Sequence, residues 1–258
     1  MDALRSDGYH EAQLRRFLPV IHRLGRISLA GKKLRVLGEE NFVRGGPSIL
    51  IGNHCGSYKD VAVLYRIAPR PIFFNANHLI FTRAGFNFLV RKHLYRHMGR
   101  LGLFLNFILN PYKFLFVDYI SSNIAKIGAI PVDFFGAKDE AVVRCEEYLR
   151  LGRAIVSLQG RGRVDPKERN PYIKPFGRGV AYIAYQMRER ENVDIPVTPL
   201  ALYGTQLPWL IPGTVTINLG PPMHIRDYWG GGVDATVDRF RNALQEAVAA
   251  LFMRNLRP

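Results

Sequence analysis

The stretch SILIGNHCGSYKD, residues 48–60, decides how the whole chain is read. Its first half, Ser48 to Asn53, is short, apolar and preceded by the turn Arg44-Gly45-Gly46-Pro47, as a buried strand should be. The second half turns polar at once and holds Ser57 with Asp60 three residues on, a serine and an acid placed to cap the first turn of a helix. A buried strand that runs through a short polar loop into a helix is the opening of a βαβ unit.

The same alternation continues outward from this stretch. A helix at 58–67 leads to strand PIFFNA, a helical region at 79–125, strand AIPVDFF, a helix at 138–151 and strand AIVSL. After the loop QGRGRVDPKERNPYIKPFGRG come helix VAYIAYQMRER, strands IPVTPLALYG and TVTINLG, and a closing helix at 235–255. Upstream, Leu14, Phe17, Leu18, Ile21, Leu24 and Ile27 recur at spacings of three and four with Arg15, Arg16, Arg23 and Arg26 between them. That is a basic amphipathic helix, ended by Gly31 and followed by a short strand LRVLG. The expected fold is therefore α/β: a central, largely parallel β-sheet flanked by helices, with an N-terminal amphipathic helix within 1–33 and one undivided domain over 34–258.

Charge limits the partners. The chain of 258 residues carries 36 Lys+Arg against 21 Asp+Glu, a net charge of +15, and is 48% apolar. The apolar share excludes disorder, and the charge asks for an anionic partner: nucleic acid, an anionic bilayer or a phosphorylated substrate. The segment 98–120, MGRLGLFLNFILNPYKFLFVDYI, is too interrupted by Asn106, Asn110, Pro111 and Lys113 to span a membrane. Arg91, Lys92, His93, Arg96, His97 and Arg100 flank it, so it reads either as a helical insertion facing a membrane interface or as a buried hairpin turned at Asn110-Pro111. Two well-separated cysteines, Cys55 and Cys145, and a start without a secretory signal pattern suggest the cytoplasmic side. His93 and His97 share a helix face but have no carboxylate beside them and three cations near, so no metal is expected.

The chemistry-bearing residues sit where the first strand ends. His54 and Asp60 stand at the carboxyl edge of a buried strand, the edge where open α/β sheets collect ligands. An Asp60 carboxylate accepting from one imidazole nitrogen of His54 would leave the other free to take a proton from a hydroxyl. The alternative reading of Asp60 is a plain helix cap.

These residues resemble the first motif of the glycerolipid acyltransferases, the family typified by bacterial lysophosphatidic acid acyltransferase: an Asn-His, here Asn53-His54, followed by Ser57 and Asp60. Three further blocks fall in the family's order: GAIPVDFF at 128–135, SLQGRGR at 157–163 and IPVTPLALYGT at 195–205. The resemblance implies a membrane-associated O-acyltransferase in which His54 is the general base and Asp60 stabilises the imidazolium. An acceptor hydroxyl of a lysophospholipid or related lipid would attack acyl-CoA or acyl carrier protein directly, with no bound cofactor. Substrate contacts are expected from Asn53, Ser57, Gln159, Gly160, Arg161 and Arg163; the two arginines with the glycines beside them read as a phosphate cradle, and Lys174 and Arg178, further along the same loop, as second-rank candidates. The segment 98–120 would receive acyl chains or dip into an anionic membrane at its cytoplasmic face, the protein being peripheral or monotopic.

The chain departs from the family in three places. Five residues separate His54 from Asp60 where the family has four, and Gly56 is expected to absorb the extra one through the backbone angles open to glycine. Gln159 replaces the third motif's glutamate. Phe134 follows Asp133 where the family carries an arginine for the acceptor's phosphate, so either Arg161 supplies that cation or the acceptor is a neutral or glycosylated lipid. The longer spacing and Gln159 motivate one alternative, a lipid-binding relative with altered catalysis. Charge and aromatics motivate another, a nucleic-acid-binding protein, but no nucleic-acid motif accompanies them and nucleic acid is not the expected partner.

Overall fold

The computed structural model describes residues 8–56, 58–133, 138–159, 173–207 and 211–255. The chain runs α1 (Tyr9–Ser28), β1 (Lys32–Leu37), β2 (Ser48–Asn53), α2 (Tyr58–Ile67), β3 (Ile72–Asn77), α3 (Arg83–Ile108), α4 (Asn110–Asn123) and β4 (Ile130–Val132). It continues through α5 (Lys138–Arg150), β5 (Ala154–Gln159), α6 (Gly179–Glu191), β6 (Val197–Tyr203), β7 (Gly213–Leu219) and α7 (Gly232–Asn255). Two compact units result, one of Met1–Phe17 with Phe73–Ala141 and one of Leu18–Ile72 with Val142–Pro258.

The second unit holds five strands in the order β1-β7-β6-β2-β5. β2 pairs parallel with both β5 and β6, and β1 pairs parallel with β7. Only the β6–β7 pair is antiparallel, consecutive strands needing no crossover between them. The strand read as buried is so: all six residues of β2 are buried, as parallel strands covered on both faces must be. A Cβ on Gly52 would stand 2.6 Å from the carbonyl oxygen of Leu200, so that position admits only glycine. Val237, Phe240, Leu244 and Val248, at helical spacing along α7, are fully buried. Each such side chain contributes about 1.5–3 kcal/mol relative to exposure.

The first unit holds the parallel pair β3–β4, registered Asn75 to Ile130 and Asn77 to Val132. β4 spans three residues, shorter than the stretch AIPVDFF; Phe134 and Phe135 lie outside the described residues. Between the two strands sits the helical insertion. α3 is broken at Gly99 (φ 56°, ψ −133°), a left-handed conformation that residues with a Cβ avoid. After the break the chain doubles back so closely that a Cβ on Gly102 would collide with the carbonyl oxygen of Leu94. A second turn at Leu109 starts α4, with Pro111 in its first turn, where a missing N–H costs nothing. The expectation of one hairpin turned at Asn110-Pro111 thus gains a second reversal, at Gly99. The reading of 98–120 as a buried core hairpin is overturned, because Val117 is the one buried side chain among its described residues.

Candidate functional site

β2 ends at Asn53, and the three residues that follow bring His54 back over the first turn of α2. Its Nδ1 lies 2.8 Å from Oδ2 of Asp60. The Asp60 side chain is 0% exposed and that of His54 16%, so the carboxylate is sealed in while the imidazole reaches solvent. A carboxylate only accepts, so Nδ1 donates to Oδ2, and in the neutral imidazole this tautomer leaves the lone pair on Nε2. The same Oδ2 accepts from the backbone N–H of Gly56 at 2.8 Å. Asp60 is thus both cap and partner, since it holds an amide at the start of α2 and an imidazole with one oxygen. Its other oxygen, Oδ1, has no hydrogen-bond partner among the described residues.

The extra residue between His54 and Asp60 does not part the pair. Cys55 is tucked toward β6, donating from Sγ to the carbonyl of Leu202 at 3.4 Å with Oγ1 of Thr205 3.2 Å away. Burial, and then the negative charge of Asp60, push its thiol above the ordinary range, so it stays protonated. Gly56 serves differently from the expectation. Its φ is not in the left-handed region, so space, rather than backbone angles, requires glycine there. A Cβ on Gly56 would collide with the side chain of Thr205 and stand 2.7 Å from Asp60 Oδ1. Gly56→Ala is therefore expected to destabilise the fold by about 1–3 kcal/mol and to displace the Asp60 carboxylate. Urea denaturation checks this, and a variant as stable as the native chain would contradict the packing.

Asn53, expected to touch substrate, is turned into the fold. Its amide donates to the carbonyl of Leu202 at 2.9 Å and accepts from the N–H of Leu202 at 2.7 Å, with the residue 0% exposed. The amide donates one bond and accepts one, extending the β2–β6 pairing by one more rung next to His54. Gln159 pairs across the sheet with Asn53 at the end of β5, which brings the third block to the same edge as the first. Its amide donates to Ser157 Oγ at 2.8 Å and accepts from the N–H of Gly177 at 3.2 Å. Ser57, Gly160, Arg161 and Arg163 lie outside the described residues, as do the side chains of His93 and His97. Arg178, a second-rank candidate for the phosphate cradle, is already held by Asp234 at 2.5 Å and Asp238 at 3.1 Å, so its charge is answered within the fold; Lys174 is half-buried.

Two contributors went unnoticed in the sequence. Thr205, fully buried, closes the loop from behind against Cys55 and Gly56. Lys59, also buried, donates to the carbonyl of Leu207 at 2.6 Å, and burial and the charge of Lys32 lower its ammonium pKa. Only the position of Thr205 at the end of the fourth block gave a hint of it. Among the described residues no cluster of three His, Cys, Asp or Glu side chains is placed to hold a metal ion.

Comparison with known proteins bears on the fold and the family. The crystal structure of the 1-acyl-sn-glycerophosphate (LPA) acyltransferase PlsC from Thermotoga maritima superposes with a TM-score of 0.58 at 15% identity, over 96% of this chain and 84% of that one, which shows a shared fold. No curated protein sequence matches significantly. Residues 33–203, about two thirds of the chain and all of the site just described up to Tyr203, match the Acyltransferase family. The chain belongs to the acyltransferase family.

Proposed function

We propose that the chain moves a fatty acyl group from acyl-CoA or acyl carrier protein to a hydroxyl of a lysophospholipid or related lipid, with His54 as general base. It works as a peripheral or monotopic protein on the cytoplasmic face of an anionic membrane. The observation that carries the reading is the 2.8 Å pairing of His54 Nδ1 with the sealed carboxylate of Asp60 at the carboxyl end of β2. Nε2 takes the hydroxyl proton as the acceptor oxygen attacks the thioester carbonyl. Collapse of the tetrahedral adduct breaks the carbon–sulfur bond, and the thiolate leaves with the proton returned by the imidazolium. The charge of Asp60 balances that imidazolium while it lasts. No cofactor takes part.

Arg161 and Arg163, with Gly160, are the groups assigned to phosphate on the donor or acceptor. Phe134 in place of an arginine favours an acceptor that relies on Arg161 or carries a neutral headgroup. The alternative of a relative with altered catalysis drew on the longer His54–Asp60 spacing and on Gln159; the first of these leaves the pair at hydrogen-bond distance.

Direct attack has a sharp test. Release of free thiol from acyl-CoA, or from acyl carrier protein, is expected to require added lipid and to continue in Cys55→Ala, because the thiol of Cys55 stays protonated and turned toward β6. Loss of transfer in Cys55→Ala, or an acyl group recovered on Cys55 by intact-protein mass, would contradict direct transfer.

A further inference from the structure

The insertion between β3 and β4 is built inside out. Its apolar side chains point to the surface: Phe107 is 79% exposed, Tyr112 75%, Leu115 67% and Phe104 59%. Two of its polar side chains turn the other way, with Lys113 Nζ donating to Asn106 Oδ1 at 2.8 Å and both residues half-buried. A helix pair made for water reverses this pattern. The base of the insertion is braced, with Arg83 ion-paired to Asp118 and lying 5.0 Å over the ring of Phe114, and Phe86 against Phe116. The outward apolar face is therefore a fixed feature of a braced element.

Charge selects what covers it. Arg91, Lys92 and Arg100 stand exposed on the same insertion, and the sequence holds no Asp or Glu anywhere between Asp60 and Asp118. A second copy of this surface would bring the same positive charge against itself. A bilayer carrying anionic headgroups satisfies both the apolar side chains and the cations. We infer that residues 99–116 form a wedge that enters one leaflet of an anionic bilayer, with Arg91, Lys92 and Arg100 at the level of the lipid phosphates. The inference rests on the lipid-acyltransferase reading, in which the acceptor is drawn from that leaflet.

Phe107→Trp, a mild change at an exposed position, reports insertion. With phosphatidylcholine vesicles containing phosphatidylglycerol, its emission is expected to shift to the blue and to be quenched by lipids brominated on their acyl chains. Cosedimentation with these vesicles is expected to fall about tenfold or more in Arg91→Glu/Lys92→Glu, and likewise in Phe107→Asp/Leu115→Asp. Unchanged emission with unchanged cosedimentation of both double variants would overturn the wedge. So would a native dimer that Phe107→Asp/Leu115→Asp converts to monomer without loss of vesicle binding. His54→Ala should sediment as the native protein does. Absence of vesicle binding therefore rejects the wedge and the membrane placement while leaving His54 catalysis standing, and absence of acyl transfer by a vesicle-bound protein rejects the catalytic reading alone.

Discussion

His54→Ala is expected to lower acyl transfer by about 10²–10⁴-fold, the range a positioned general base contributes. The loss falls on kcat, because the imidazole acts on the reacting hydroxyl and has no share in holding the rest of the lipid. KM for donor and acceptor should change little. The fold survives the substitution because Asp60 Oδ2 keeps the N–H of Gly56 as a partner, and losing one of its two donors costs about 1–3 kcal/mol. Steady-state kinetics beside a denaturation curve separates the two effects. A variant that is stable yet retains native kcat would remove His54 from the mechanism.

Asp60→Asn is expected to lower kcat by about 10²-fold or more while sparing the fold. Both partners of Oδ2 are donors, the His54 ring nitrogen and the Gly56 amide, so a carboxamide oxygen can occupy the same place. The amide nitrogen would then stand where Oδ1 stands, an atom without a hydrogen-bond partner among the described residues. The geometry is kept, and what disappears is the negative charge that holds the Nδ1–H tautomer and balances the imidazolium. Asp60→Ala differs, because it leaves the buried Gly56 N–H without an acceptor and should cost stability as well as rate. If Asp60→Asn turned over at the native rate, Asp60 would be a helix cap and nothing more.

Where local pattern and tertiary demand agreed, the sequence was legible. Ser48 to Asn53 is a run of apolar and small residues closed by an asparagine, and a strand covered on both faces has little else it can be. The α2 boundary could be read because Asp60 marks a first turn whether or not it also serves His54. Harder features depended on partners distant in the chain. The role of Asn53 is decided by Leu202, 149 positions away, whose backbone takes up both ends of the amide. Gly56 is glycine because of Thr205, which no local pattern at residue 56 reveals. Arg178 looked like a free cation until α7 brought Asp234 and Asp238 to it.

The helical insertion defeated the pattern for another reason. Periodicity reports which positions share a face, but it does not say which face meets solvent. In 98–120 the usual rule is inverted, with Phe107 and Leu115 outward and Asn106 turned toward Lys113. The break at Gly99 was equally hidden, since a glycine in a helical stretch is as often tolerated as used; it is the tight approach of Gly102 to Leu94 that makes it a turn.

The claim at the centre is that His54 drives transfer of an acyl chain to a lipid hydroxyl. It is tested most directly by incubating the native protein and His54→Ala with an isotopically labelled acyl donor and a total cellular lipid extract, then identifying labelled products by mass spectrometry. A lipid carrying the labelled chain in ester linkage is expected with the native protein and none with His54→Ala. Equal labelling by the two proteins, or label recovered only on the protein itself, would contradict it.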